Sequence, residues 1–144
     1  MIKNSALNVL LVEDDEIDVM TVQRAFSNGQ IASNLHIANN GIEALAMLRG
    51  KSGQQPVVPP DRRIIVLDLN MPRMNGMEFL RELRADATIK HIPVVVFTTS
   101  KEESDRIETY GFNIAGYILK PATFESFLEI IVTLNDYWTS CEMT

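Results

Sequence analysis

Chemistry-bearing residues gather where apolar runs end. Asn8-Val9-Leu10-Leu11-Val12 gives way to Glu13-Asp14-Asp15-Glu16, and Ile64-Ile65-Val66-Leu67 to Asp68-Leu69-Asn70. Thr98-Thr99-Ser100 closes a third run and Lys120-Pro121 a fourth. Carboxylates brought within a few ångströms raise one another's pKa or demand a cation, and an all-oxygen cluster suits hydrated Mg2+ better than Zn2+. A carboxylate nucleophile, a divalent ion, an ammonium and a hydroxyl are the parts that move a phosphoryl group onto an aspartate and then hold it. Asp68 is the expected nucleophile. Glu13 and Asp14 join it in an acidic cluster, the Asn70 main-chain carbonyl reaches the same ion, and Thr98 with Lys120 forms the oxyanion site.

Each part taken alone has an ordinary explanation. An Asp after a strand often serves a turn or a helix cap, acids at a helix start complement its dipole, Thr98 could cap a strand end, and Lys120 could be solvated. Their joint appearance at four strand ends is what argues for a site.

The elements that must position them alternate. Short β-branched runs at Val9–Val12, Leu35–Ala38, Ile64–Leu69, Val94–Phe97 and Tyr117–Leu119 are separated by helical patterns at about Ile17–Ser27, Gly41–Leu48, Met77–Arg84 and Glu102–Tyr110. A long helical pattern, Phe124–Trp138, closes the series. Continuously apolar strands suit a parallel sheet covered on both faces, and right-handed crossovers make it doubly wound. In such sheets ligands bind beyond the carboxyl ends of the strands, where the residues above fall. Gly50 to Arg63, with Gly53, Pro56, Pro59 and Pro60, reads as a long exposed connection. Met71-Pro72-Arg73-Met74-Asn75-Gly76 reads as a turn in which Gly76 is free to take a positive φ and Asn75 caps the next helix.

The 144 residues fit one domain, residues 1–144, with a core at about 8–135 and an extended last helix. Hydrophobic residues at 46% and charged residues at 22% describe a chain able to bury a core. A net charge of −6 disfavours direct binding to DNA or to anionic membrane surfaces. Cys141 is the single cysteine, so no internal disulfide forms, and Met1 to Ala6 lacks the apolar stretch of a secretory signal. With no apolar run approaching a membrane span, the expected location is the cytoplasm.

Taken together, Leu11-Val12-Glu13-Asp14-Asp15, Val66-Leu67-Asp68-Leu69-Asn70-Met71-Pro72 with Asn75-Gly76, Phe97-Thr98-Thr99 and Tyr117-Ile118-Leu119-Lys120-Pro121 resemble the receiver domain of two-component response regulators. The resemblance runs from Val9 to the final helix. It implies a flavodoxin-like five-stranded sheet of order 2-1-3-4-5 with five helices, and phosphorylation of Asp68 by a sensor histidine kinase or a histidine phosphotransfer protein. It also implies Mg2+ on Asp14, Asp68 and the Asn70 carbonyl, with Glu13 acting through water. Thr98 would bond the phosphoryl group, Lys120 would pair with it, Tyr117 would rotate inward as Thr98 moves, and the Lys120–Pro121 bond would be cis. Such a protein is no enzyme beyond its own phosphoryl transfer and dephosphorylation. With no output domain following, it would signal by binding another protein or relay phosphate onward. The long Gly50–Arg63 loop, the Thr98-Thr99-Ser100 triplet and the last helix ending Tyr137-Trp138 resemble, more narrowly, single-domain regulators paired with bacterial phytochromes.

Three other readings fit parts of the pattern. An aspartate-nucleophile phosphatase of the haloacid dehalogenase type needs a second Asp where Asn70 stands, so its proton carrier is missing. An FMN binder needs an anion loop where Glu13 to Glu16 lie. A phosphate-independent interaction module would have no use for Asp14, Asp68, Thr98 and Lys120. On the last helix, Phe124, Phe127, Leu128, Ile131, Leu134 and Trp138 form a stripe for the core, with Ile130, Tyr137 and Cys141 beside it. That apolar arc is about twice the width one core needs, which leads to an expected homodimer through the final helix.

Overall fold

The computed structural model describes residues 6–51, 53–69, 75–99, 101–108 and 110–142. Five strands and five helices alternate in the order β1 (Asn8–Val12), α1 (Glu16–Asn28), β2 (Asn34–Ala38), α2 (Gly41–Arg49), β3 (Arg63–Asp68), α3 (Gly76–Ala85), β4 (Val94–Thr98), α4 (Lys101–Glu108), β5 (Gly116–Leu119) and α5 (Phe124–Ser140). The strands form one parallel sheet of order β2-β1-β3-β4-β5. This is the doubly wound, flavodoxin-like arrangement expected. Among the described residues no helix is long and apolar enough to cross a membrane.

The three central strands are buried along their whole length, which is why their sequences run apolar without alternation. Even-numbered β1 residues Leu10 and Val12 face α2, α3 and α4, joining Leu48, Phe79, Leu80 and Ile107 in one core layer. Odd-numbered Val9 and Leu11 face α1 and α5, joining Val22, Ala25, Phe127 and Ile131 in the other. Phe97 of β4 meets Phe127 of α5 edge to face at 5.6 Å, a geometry that adds about 1 kcal/mol to their burial.

Several boundaries depart from expectation for local reasons. The fourth helix ends at Glu108 rather than Tyr110, and the Tyr110 N–H donates to the Ile107 carbonyl in a turn before Gly111, whose φ is 68°. Gly76 does not take a positive φ; it is the first residue of α3, and a Cβ there would lie 2.8 Å from the Leu69 Cα. Its use is close approach of backbone to backbone. Asn75 caps α3 as expected, its side chain accepting from the Met77 and Glu78 N–H groups while the Glu78 carboxylate accepts from the Asn75 N–H. Residues 70–74 of that turn lie outside the described residues.

The Gly50–Arg63 connection is not simply exposed. Val58 is fully buried in the core, its N–H donates to the Met47 carbonyl, and Arg63 is the first residue of β3. The Arg63 guanidinium turns inward to the carbonyls of Leu48, Val58 and Pro59 at 2.7–3.0 Å. An internal cation gathers the carbonyls that the end of α2 and an irregular loop would otherwise leave unpaired.

Candidate functional site

The parallel register sets Val12 beside Leu67 and Asp68 beside Phe97, so the residues that follow β1 and end β3 share one rim of the sheet. The Glu13 N–H is held by the Ala38 carbonyl at 3.0 Å, which fixes the chain as it leaves the sheet. Asp15 then caps α1, its Oδ1 accepting from Ile17 at 2.8 Å and from Asp18 at 3.4 Å. The acidic run thus divides its labour. Asp15 starts a helix, Asp14 is exposed, and Glu13 is 2% exposed beneath it.

Glu13, Asp14 and Asp68 bring a carboxylate oxygen each within 4.8 Å of the others. Lys120 enters the same space, its main chain held by an N–H bond to the Thr98 carbonyl at 2.8 Å. The ammonium lies 3.0 Å from Glu13 Oε2, 2.8 Å from Asp18 Oδ2 and 3.8 Å from Asp68 Oδ1. Thr98 is 1% exposed at the end of β4. Tyr117 of β5 stands beside Val96 and packs, partly buried, on the α2–α4 side of the sheet.

Electrostatically the rim holds more negative than positive charge. Burial first, and then the neighbouring Asp68 carboxylate, push Glu13 up to about 7 against the pull of Lys120. Burial works to lower the Lys120 pKa, but the hydrogen bonds it donates to Asp18 and Glu13 and the Asp68 charge hold it above the usual lysine range. Oxygen donors in carboxylate excess, partly exposed through Asp14, fit a hard divalent cation without a soft or nitrogen ligand.

The structure therefore brings together Glu13, Asp14, Asp68 and Lys120, with Thr98 at the end of the neighbouring strand. The Asn70 carbonyl and Ser100 lie outside the described residues. The cis Lys120–Pro121 bond is corrected, for no cis peptide occurs among the described residues. Trans is the ordinary preference even before proline, and here the Thr98 carbonyl and the carboxylates aim the lysine instead. Sequence reasoning missed Asp18. Its signal was available, since an acid in the first turn after the Asp15 cap comes back over the sheet's end, but the same residue reads equally as a dipole-complementing acid.

The α5 stripe is placed as expected on the α1 side of the core, with Phe127 and Ile131 buried and Phe124, Leu128, Leu134 and Trp138 partly so. Ile130, expected beside that stripe, also packs partly against the core. Tyr137 is 61% exposed and meets Trp138 edge to face.

Comparison with known proteins agrees with this geometry. Residues 9–132 match the family model described as the response regulator receiver domain. The chain is 32% identical over 130 residues to response regulator Rcp1 of Synechocystis sp., covering 90% of this chain and 87% of that protein. Among solved structures it resembles the phosphorylated cyanobacterial phytochrome response regulator RcpA (TM-score 0.77, 32% identity, 96% of this chain and 98% of that one). It also resembles the Mn(2+)-bound form of response regulator Rcp1 (TM-score 0.75, 31% identity, 94% of this chain and 96% of that one). With its sheet order, its acidic rim and this match over most of its length, the chain belongs to the response regulator receiver domain family of two-component signalling.

Proposed function

We propose that Asp68 is the phosphoacceptor of a His-Asp phosphorelay and that the chain signals through a protein partner. The observation that carries this reading is the convergence of Glu13, Asp14 and Asp68 with the Lys120 ammonium at the carboxyl end of the sheet. In the transfer, an Asp68 carboxylate oxygen attacks the phosphorus of a phosphohistidine. The new P–O bond forms as the P–N bond breaks, and the imidazole leaves with its electron pair. Asp14 and Asp68, with the Asn70 carbonyl and with Glu13 through water, would hold Mg2+, which would neutralise the charge of the incoming phosphoryl group. Lys120 pairs with a phosphoryl oxygen, Thr98 donates its hydroxyl to another, and Tyr117 follows Thr98 inward to change the surface near β5.

The donor is a sensor histidine kinase or histidine phosphotransfer protein in the cytoplasm. The likeness to the phytochrome regulator RcpA supports a phytochrome-type kinase. The exposed Tyr137 supports a homodimer through α5. Sedimentation at micromolar concentration, with and without a phosphoryl mimic, tests the dimer, and a native monomer in both ends it.

Acetyl phosphate with Mg2+ tests the central assignment without a kinase. Intact mass should show one phosphoryl group on the native protein and none on Asp68→Asn or in the presence of EDTA. Labelling of Asp68→Asn moves the acceptor elsewhere, and no labelling of the native protein favours a phosphate-independent interaction module.

A further inference from the structure

The Lys120 ammonium is off-centre among its carboxylates. Its contact with Asp18 at 2.8 Å has the length of a charge-assisted hydrogen bond, and that with Glu13 at 3.0 Å is close to it. Asp68 at 3.8 Å is beyond hydrogen-bond reach. The lysine is therefore drawn toward α1 and away from the expected acceptor. Both residues are held at their main-chain N–H groups. The Thr98 carbonyl holds the Lys120 N–H at 2.8 Å, and the Asp15 cap holds the Asp18 N–H at 3.4 Å.

From this geometry we infer that Asp18 is a positioning residue, the resting anchor of Lys120, and that it competes with a phosphoryl group on Asp68 for the ammonium. The inference rests on the phosphoacceptor reading above and adds the control of that site. A phosphoryl group brings charge of about −2 and new acceptor oxygens to Asp68. Lys120 reaches them by giving up Asp18. Whatever the Asp18 contact adds to the resting state is subtracted from the phosphorylated one. The Asp18 side chain is 36% exposed, so the expected effect is modest, about two- to fivefold in affinity.

The test compares native protein, Asp18→Asn and Asp18→Glu as full chains. In protein free of Mg2+ and phosphate, the 15N resonance of the Lys120 ammonium should move in Asp18→Asn and return toward native in Asp18→Glu. At saturating Mg2+, Asp18→Asn should bind beryllofluoride about two- to fivefold tighter than native, with Asp18→Glu near native. A helix-start acid acting only through the α1 dipole would move neither reading. An unmoved Lys120 resonance overturns the anchor, and unchanged or weaker beryllofluoride binding overturns the competition. Failure of the underlying reading looks different: the native protein would then bind no beryllofluoride, or Asp68→Asn would bind it equally. That result removes the competition, while the ammonium resonance still decides the anchor.

Discussion

The two ends of the sheet treat buried charge in opposite ways. At the amino end, Arg62 and Arg63 each donate to three main-chain carbonyls, those of Trp138, Thr139 and Cys141 and those of Leu48, Val58 and Pro59. Ser33 links the Leu7 N–H to Asn135, and the Asn8 amide reaches the Asp61 carbonyl. Charge there is spread over neutral dipoles, and the result ties α2, α5 and the 50–62 connection to the sheet. At the carboxyl end, Glu13, Asp18 and Asp68 share the Lys120 ammonium, and a carboxyl group is pushed up to about 7. Charge spread over main-chain dipoles makes a scaffold, although the Arg62 Nε finds no partner among the described residues, whereas crowded like charges keep affinity in reserve for a cation or a phosphoryl group.

The largest expected effect on stability lies at the amino end. Arg63→Ala strands two buried carbonyls and a partly buried one and should cost about 2–4 kcal/mol in urea unfolding, yet leave acetyl phosphate labelling of the folded fraction intact. Loss of labelling in that fraction would mean the two ends are not separable.

The next effect belongs to the carboxyl end and reverses the usual acid lability. Glu13 keeps its proton up to about pH 7 in the folded, metal-free protein, against an ordinary 4.5. The folded state then binds more protons than the unfolded one between those values, so stability falls as pH rises through that window, by on the order of 2–3 kcal/mol. Glu13→Gln should flatten this slope in melts from pH 5 to 8, and Mg2+ should raise Tm more at pH 8 than at pH 5. A native slope unchanged by Glu13→Gln contradicts the crowding.

The smallest effect concerns the edge strand. His36 has a buried Nε2 without a hydrogen-bond partner among the described residues, and burial lowers its pKa. Its contribution is present above the ordinary 6.5 and is lost as pH falls through the lowered folded value. His36→Gln should reduce acid destabilisation slightly, as read by Tm between pH 6 and 4.5.

What the sequence showed and what it hid follow the same division. Strand positions, the doubly wound parallel sheet and the acids at strand ends were legible because continuous apolar runs in parallel sheets and ligand-bearing carboxyl ends are local patterns, whereas the strand order followed only from the resemblance to receiver domains. The role of Arg63 was not, since an arginine after a proline-rich loop looks like surface until the carbonyls it gathers are placed in space. Asp18 was hidden likewise, for its meaning depends on a lysine 102 residues away in the chain. Gly76 was assigned the wrong freedom because a glycine before a helix suggests a turn, while the actual constraint is the Leu69 backbone against it.

The most direct test of the contrast is an amide NMR map recorded before and after adding beryllofluoride with Mg2+. The account predicts large shifts at Glu13, Leu69, Thr98 and Lys120, extending to Tyr117, and nearly none at Asn8, Ser33 and Arg63, with the whole pattern absent in Asp68→Asn. Shifts of equal size at the amino end, or the same pattern in Asp68→Asn, would contradict it.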